Sequence, residues 1–197
     1  MYGIVSATRV DQAEQIAREM LADLPERWQH TAGVAGRAAE LAAALGESPE
    51  VLVTAAWLHD IGYGEACRDT GFHPLDGARY LDRHGWPARI SALVAHHSGA
   101  CYVAEAHNVQ DALRAYPREE SPLADALTYA DQTIGPAGRR MPVQQRMADM
   151  LRRHGPRSAN AIAHRLRGPY LLALAHRVEH RLATAGPPVP VMAAAHP

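Results

Sequence analysis

The sequence predicts an all-α protein built as a single helical bundle. Apolar residues recur three and four positions apart over most of the 197 residues, as they do on one face of a helix. No stretch of useful length alternates apolar and polar residues in the way that is typical of a half-buried strand. A hydrophobic content of 47% with 21% charged residues is ordinary for a globular protein that builds one substantial core.

The first two predicted helices have clear ends. An amphipathic helix is predicted over residues 9–23 and ends before Pro25, because proline interrupts the helical hydrogen bonds. An alanine-rich helix is predicted over about residues 26–45 and stops at Gly46, since glycine commonly follows the last turn of a helix. Both helices therefore precede the part of the chain that is richest in histidine and aspartate.

A third helix begins with a characteristic start signal. Ser48 is typical of an N-cap and Pro49 of a first helical turn, so this helix carries Val51 to His59 and breaks at Gly62. The same helical periodicity predicts further helices near residues 74–84, 87–97, 120–133, 141–154 and 157–184.

Two stretches between these helices are predicted to be loops. They are residues 98–118 and residues 134–141, the second because it contains Gly135-Pro136-Ala137-Gly138. No internal repeat divides the chain. We therefore predict one domain over residues 25–184, an N-terminal helix within 1–24 that packs on it, and a disordered tail over 185–197.

Charge is distributed unevenly, although the formal net charge is only −1. Residues 1–131 carry ten arginines and 19 carboxylates, residues 132–197 carry ten arginines and two carboxylates, and the chain has no lysine. The missing lysine fits the amino-acid usage of a GC-rich genome, and the basic C-terminal third could neutralise the acidic part or help to bind an anionic substrate. Because the arginines are scattered among apolar helix positions, we expect no nucleic-acid partner.

The sequence also bears on compartment and partners. No apolar run approaches the ~20 residues of a membrane span, and the first residues lack the basic leader of a signal peptide. The two cysteines, Cys67 and Cys101, do not form a disulfide framework or a Cys-x-x-Cys pair. We therefore predict a cytoplasmic protein with no membrane partner, and a homo-oligomer is compatible with the sequence.

A series of histidines and aspartates points to a metal site. The tetrapeptide His59-Asp60-Ile61-Gly62 follows an apolar helix, where a carboxylate is costly to bury unless it is paired or coordinates a cation. Imidazole and carboxylate groups suit hard or borderline divalent metals. The other members of the series are His30 upstream and His73, His96, His97 and Asp131 downstream.

The first and last members of the series occupy informative helix positions. His30 shares a helical face with Arg27 and Arg37, and guanidinium groups beside a metal can hold phosphoryl oxygens in a bidentate manner. Asp131 lies on the apolar face of its helix, four residues after Leu127, so it needs either an arginine partner or a metal. Arg27 and Arg37 are therefore candidate substrate contacts.

This ordered series resembles that of the HD superfamily of metal-dependent phosphohydrolases. The pattern of that family is His…His-Asp…Asp, often with two further histidines between, and the resemblance spans roughly Arg27 to Asp131, about half of the chain. It implies a helical bundle with a metal site between its helices. The implied metal ligands are His30, His59, Asp60, His73, His96 and Asp131.

The resemblance implies divalent metal ions, and we expect two, with Asp60 as the bridging ligand. It does not choose among Fe, Mn, Mg, Co, Ni and Zn. Helical periodicity does not separate His96 from His97, but a His-x-Ser/Thr-Gly pattern favours His96 as the ligand. His97 would then either support the ligands from behind or contact the phosphate of the substrate. In a site with one metal, His73 and His96 would contact phosphate oxygens instead.

The activity implied by the resemblance is the hydrolysis of a nucleotide or another small phosphoester. Such an enzyme is a phosphomonoesterase or phosphodiesterase in which a metal-activated water attacks phosphorus. The expected catalytic residues are Asp60, His96 and His97, with one of the two histidines as a proton donor. The expected partner is therefore a small phosphorylated substrate, bound by Arg27, Arg37 and His97.

Two other functions are compatible with the same residues. Some members of the superfamily use such a site, loaded with iron, to oxygenate a small polyol or phosphonate, and a non-catalytic ligand-binding module is the other alternative. Tyr63 stands where many relatives carry a basic residue, which puts a basic substrate contact there in doubt. A cyclic-dinucleotide phosphodiesterase is disfavoured, because its Gly-Tyr-Pro segment is replaced by Gly99-Ala-Cys-Tyr-Val.

Overall fold

The computed structural model describes residues 8–185 and shows ten α-helices in that range. Within this range no β-strand forms, and an isolated antiparallel bridge joins Ile134 to Arg140. The predicted all-α class is therefore confirmed, and residues 186–197 of the predicted tail lie outside the described residues. The helices are α1 (Arg9–Met20), α2 (Pro25–Leu45), α3 (Pro49–Leu58), α4 (His73–Arg83), α5 (Ala88–His96), α6 (Ala100–Val103), α7 (Gln110–Leu113), α8 (Pro122–Gln132), α9 (Val143–His154) and α10 (Ala159–Thr184).

Helix ends follow the capping residues in the sequence. A serine precedes each of α3, α8 and α10, and its Oγ accepts a hydrogen bond from the backbone N–H three residues later. These serines are Ser48, Ser121 and Ser158. Helix α2 ends at Gly46, which adopts the left-handed conformation with a φ of 66°. The longer helices therefore begin and end within a few residues of their predicted bounds.

The predicted loop over residues 98–118 is wrong. It contains the short helices α6 and α7 and a 3-10 turn at Ala104–His107. Four-residue helices are too short to produce a readable periodicity, and their position is fixed by burial instead. Their buried residues pack with the start of α4 in a second apolar cluster that includes Phe72, Leu75, Val103, Ala104 and Leu113.

The main core brings four helix ends towards one point. Helix α1 packs on α3 through Ala13 and Ala17, α2 packs on α3 and α8, and α4 packs on α5. Helices α9 and α10 cover α8. This packing places the end of α3, the start of α4, the end of α5 and the last turn of α8 close together. Among the described residues no helix combines the length and apolarity needed to cross a membrane.

Candidate metal centre

Asp60 lies at the centre of a buried cluster of four histidines. Its Oδ2 faces the Nε2 atoms of His30 at 3.8 Å and His59 at 3.4 Å. Its Oδ1 faces the Nε2 atoms of His73 at 3.3 Å and His97 at 3.9 Å. On each side the ligand atoms all lie within 4.8 Å of one another. One carboxylate thus offers an oxygen to each of two histidine pairs, and each side is a group of residues that could hold a metal ion.

A glycine allows this convergence. The turn Ile61–Tyr63 follows Asp60 and runs against the start of α4. A Cβ atom added to Gly62 would lie 2.0 Å from the carbonyl oxygen of His73 and 2.8 Å from the backbone nitrogen of Gly77. Because Gly62 has no side chain, the two backbones touch, and His73 is held beside Asp60.

Backbone carbonyls orient three of the four imidazoles. The Nδ1–H groups donate to main-chain oxygens, His59 to Ala56 at 2.7 Å, His97 to Val94 at 2.6 Å and His30 to Gly135 at 3.2 Å. We assign the tautomers of His59 and His97 from these partners: with Nδ1 protonated, the lone pair of the neutral imidazole is on Nε2 and points at Asp60. The Nε2 of His30 lies nearer to Asp131, at 3.0 Å from its Oδ1. This is how second-layer hydrogen bonds orient histidine ligands in metal sites.

Two contacts in the cluster join groups that both offer lone pairs. The Nε2 of His59 is buried and, within residues 8–185, has no hydrogen-bond partner, although the Asp60 carboxylate is 3.4 Å away. The Nε2 atoms of His73 and His97 lie 3.3 Å apart. Each contact needs a proton or a cation between its partners. The residues present therefore fit a divalent metal centre.

Asp131 lies beside His30 in the cluster. Its Oδ1 lies 3.0 Å from Nε2 of His30, and its Oδ2 accepts a 2.8 Å hydrogen bond from Nε2 of Gln132. The same amide donates to Oγ of Ser98 at 2.7 Å. Arg167 donates from Nε and Nη2 to the carbonyl oxygen and Oγ of Ser98, both at 2.7 Å. This chain of hydrogen bonds fixes the direction in which the Asp131 carboxylate points.

Both carboxylates of the cluster are held in the ionised form. Burial alone would raise the pKa of Asp60, but the charges on His59 and Arg27 hold it well below its ordinary value. Burial would likewise raise the pKa of Asp131, and its hydrogen bond and charge interaction with His30 keep it well below that value. Two buried, ionised carboxylates supply the negative charge that compensates the positive charge of a bound divalent cation.

The protein environment shifts the pKa values of the histidines in opposite directions. Burial, followed by the charge on His59, lowers the pKa of His97 to about 4. Burial also lowers the pKa of His73 well below its ordinary value, against the opposing attraction of Asp60. For His59, burial acts to lower the pKa, but the charge of Asp60 prevails and raises it. His73 and His97 are therefore neutral at pH 7, the form in which imidazole binds a metal.

Arg27 and Tyr63 close one side of the cluster. Nη1 of Arg27 donates a 2.9 Å hydrogen bond to Oδ2 of Asp60, and its guanidinium lies 4.1 Å from the centre of the Tyr63 ring. Tyr63 stacks on His73 with ring centres 4.1 Å apart. Burial, together with the charge of Asp60, raises the pKa of Tyr63 to about 12. A neutral phenol thus occupies the position after the tetrapeptide and supports the imidazole of His73.

The structure corrects the choice between the adjacent histidines. His96 points away from the cluster, and its Nε2 donates to the carbonyl oxygen of Tyr116 at 2.8 Å. His97 lies in the cluster instead, because α5 ends at His96 and the following turn directs the next side chain towards Asp60. The assignment of His96 as a metal ligand, catalytic residue or proton donor is therefore wrong, and His97 occupies the place in the cluster that was predicted for His96.

The structure also corrects one predicted substrate contact. Arg37 lies on α2 about 10 Å along the helix axis from His30, as seven residues at 1.5 Å each require. Its Nη1 donates to Glu40 at 2.9 Å, and its guanidinium lies near the ring of Tyr129. It does not line the cavity in front of Asp60. The prediction for Arg37 is therefore wrong, whereas Arg27 does line that cavity.

A small cavity of about 70 Å³ opens in front of Asp60 and Asp131. Its lining includes Arg146 of α9 and Arg167 of α10, which are not among the site residues predicted from the sequence. A signal existed for Arg146, since it lies on the apolar face of α9, three residues after Val143. Nothing local in the sequence distinguishes Arg167.

Comparisons with known proteins agree with this geometry. The family model described as HD domain matches residues 27–134, which is more than half of the chain. The matched segment begins at Arg27 and ends just after Asp131, so it contains every residue of the histidine and aspartate cluster. Neither a curated protein nor a solved structure matches the chain.

Proposed function

The chain belongs to the HD domain family, and from this premise we propose that it is a metal-dependent phosphohydrolase that acts on a small phosphoester. The observation that carries the proposal is the position of Asp60, whose two carboxylate oxygens each face a pair of histidine Nε2 atoms. Two cations at a spacing of ~3.5–4 Å are a common arrangement in enzymes that hydrolyse phosphoesters.

The residues divide into two ligand sets. His30, His59 and Asp131 would hold one ion, His73 and His97 the other, and Asp60 both. When bound, divalent ions lower the pKa of water and stabilise the charge that develops on phosphoryl oxygens. The oxygen of water would then form a bond to phosphorus, the ester P–O bond would break, and the alcohol would leave with a proton.

The chain's own residues prepare the site for this reaction. The carbonyl oxygens of Ala56 and Val94 hold the imidazoles of His59 and His97 in place. Arg27 helps to keep Asp60 ionised and fixes one of its oxygens. Since Nε2 of His97 points at Asp60, His97 serves as a ligand rather than as the proton donor.

The experiment compares two aspartate variants. We would measure metal content by mass spectrometry and phosphate release from a panel of nucleotides and other phosphoesters. Asp60→Asn should lose bound metal and at least ~100-fold of the activity. Asp111→Asn is the matched control, because Asp111 is exposed and pairs with the exposed Arg114, so metal and activity should be retained.

The outcomes separate the alternatives. Phosphate release that survives in Asp60→Asn would overturn the proposal. Uptake of oxygen that depends on a substrate, without phosphate release, would assign the chain to the oxygenases of the superfamily instead. A protein that binds metal but turns over no substrate would be a binding module.

A further inference from the structure

Two buried arginines without carboxylate partners face the metal centre. Arg146 and Arg167 are 9% and 6% exposed, and both line the cavity in front of Asp60 and Asp131. Within residues 8–185 neither forms a salt bridge, whereas Asp60 is paired with Arg27 and Asp131 with His30. A buried guanidinium without a counter-charge is costly. The pair therefore indicates an anion that the protein itself does not supply.

Arg146 is the less satisfied of the two. Its Nε and Nη1 atoms are buried and have no hydrogen-bond partner among the described residues. Arg167 is held by Ser98, but its partners there are a carbonyl and a hydroxyl, which carry no charge. Burial lowers the pKa of Arg167, and the charge of Arg146 lowers it further against the attraction of Asp131. The guanidiniums of Arg146 and Arg167 thus line the same cavity without a carboxylate partner, where they can bind an anion.

The arginines at another cavity of the fold are neutralised. A larger cavity of about 400 Å³ is lined by Arg177 and Arg181, but both donate to the carboxylate of Asp125, at 2.7 to 3.2 Å. In that cavity the carboxylate of Asp125 supplies the counter-charge for both arginines. Within residues 8–185 the other arginines without a salt bridge are all exposed to solvent, whereas Arg146 and Arg167 are buried. This contrast favours the cavity at the metal centre as the anion site.

A further cavity of about 300 Å³ adjoins the cavity in front of Asp60 and Asp131. The two share a wall that includes Tyr63, His73 and Arg167. The adjoining cavity has both polar and apolar lining residues, but most of the surface that it exposes is apolar, and Phe72, Pro74, Ala100, Val103 and Ala159 contribute to it. A ligand with a charged end at the metal centre would therefore place its remaining part against an apolar surface.

We propose, on the basis of the proposed function, that the substrate is a phosphate monoester of a small apolar alcohol or phenol. Arg146 and Arg167 bind its phosphate, and the adjoining cavity takes its organic group. Two guanidiniums match the charge of a phosphate dianion, and the planar fork of each can donate hydrogen bonds to two of its oxygens. Both arginines lie beyond residue 134, where the family match ends, so this recognition belongs to the C-terminal helices of this chain.

The test measures binding rather than turnover. Phenylphosphonate and methylphosphonate resist hydrolysis, carry the same charged group and differ in their apolar part. Calorimetric titration of the protein with its bound metal should show that phenylphosphonate binds about tenfold more tightly, since the ring leaves water. Arg146→Gln should weaken the binding of both by about ten- to hundredfold. Arg152→Gln is the matched control on the same helix, because the side chain of Arg152 is 77% exposed.

Two further measurements separate a binding role from a structural one. Without ligand, Arg146→Gln should melt at the same temperature as the wild type or higher, because it removes a buried charge without a partner. A structural role would lower the melting temperature. Ala159→Trp should fill the adjoining cavity, remove the preference for phenylphosphonate and leave the affinity for methylphosphonate unchanged.

Failure of this inference can be told from failure of the proposed function. The inference would be overturned if Arg146→Gln bound both phosphonates as tightly as the wild type does. It would also be overturned if the wild type bound phenylphosphonate and methylphosphonate with equal affinity. Hydrolysis with an unchanged KM in Arg146→Gln would overturn it too, while the hydrolase assignment would stand. Binding that requires Arg146 in a protein that hydrolyses no phosphoester would support the anion site and overturn the hydrolase assignment.

Discussion

The carbonyl oxygen of His73 occupies the place where a side chain on residue 62 would begin, 2.0 Å from a Cβ atom built on Gly62. Asp60 and His73 come from different elements, and this backbone contact is what holds them together. The glycine of the tetrapeptide is therefore a spacing residue for the metal centre. Its role differs from that of a glycine with a left-handed backbone, since it acts through close approach.

The first prediction concerns this contact. Gly62→Ala should destabilise the protein by at least ~2 kcal/mol, because the turn after Asp60 and the start of α4 must move apart. The same movement should weaken metal binding, since it separates His73 from Asp60. Urea unfolding and metal content measure the two effects.

Gly36→Ala provides the control for this substitution. Gly36 is exposed within α2, and a Cβ atom there would meet nothing within 4 Å. Alanine has the higher helix propensity, so this variant should be more stable by about 0.5–1 kcal/mol. If the two variants had equal stability, the close approach at Gly62 would not be the reason for the glycine.

The second prediction separates the adjacent histidines by metal content. His97→Asn keeps a side-chain amide that can donate to the carbonyl of Val94 but loses the Nε2 that faces Asp60, so one of the two expected ions should be lost. His96→Gln keeps a donor for the carbonyl of Tyr116 and should retain both ions. Loss of metal from His96→Gln together with full occupancy in His97→Asn would reverse the assignment made from the structure.

His96 and His97 also show how much of the site can be predicted from the sequence. The ligand types and the order of His30, His59, Asp60 and Asp131 could be recognised, because they occur as a motif at helix positions. Which of two neighbouring imidazoles turns inwards depends on the backbone just after α5. There Ser98 adopts a φ of 58°, and no local propensity of serine indicates that conformation.

Packing between distant helices was harder still to predict. Arg146 and Arg167 reach the site only because α9 and α10 fold back over α8, and the sequence does not encode that contact in any local pattern. The basic C-terminal third could be named as a possible source of anion contacts, but its ten arginines could not be ranked. The short helices α6 and α7 escaped prediction because burial, rather than periodicity, holds them in place.

The third prediction concerns Ser98, whose Oγ accepts hydrogen bonds from Gln132 and Arg167. Ser98→Ala loses both bonds and keeps the positive φ, so it should cost about 2–3 kcal/mol. Ser98→Gly loses the same bonds but adopts a positive φ readily, and should be about 1 kcal/mol more stable than Ser98→Ala. Urea unfolding of both variants checks the difference, and an alanine variant as stable as the glycine variant would contradict the role given to the backbone.

The fourth prediction is the pH dependence of stability in the metal-free protein. The ordinary pKa of histidine is about 6.5. Burial lowers the pKa of His97 to about 4 and that of His73 well below its ordinary value. As pH falls below about 6.5 the unfolded chain takes up protons at these two positions and the folded chain does not, so stability should decrease. His97 alone should contribute a loss of ~3 kcal/mol by pH 4.

The raised pKa of His59 does not cancel this loss. Below pH 6.5 His59 is protonated in both the folded and the unfolded chain, so its contribution to stability is constant there and is lost only as pH rises through its folded pKa. The lowered pKa values of Asp60 and Asp131 act only below about pH 4. Burial also lowers the pKa of His96 and of His154, so the window between pH 6.5 and 4.5 reports on these two histidines together with His73 and His97.

Urea unfolding of the metal-free protein at several pH values in this window measures the slope. His97→Asn should reduce the slope, because it removes one of the imidazoles whose pKa is lowered by burial. His84→Asn is the control, since His84 is exposed and also directs Nδ1 at a carbonyl oxygen, that of Tyr80 at 2.7 Å. An undiminished slope in His97→Asn would show that the imidazole of His97 is not held neutral by burial at the metal centre.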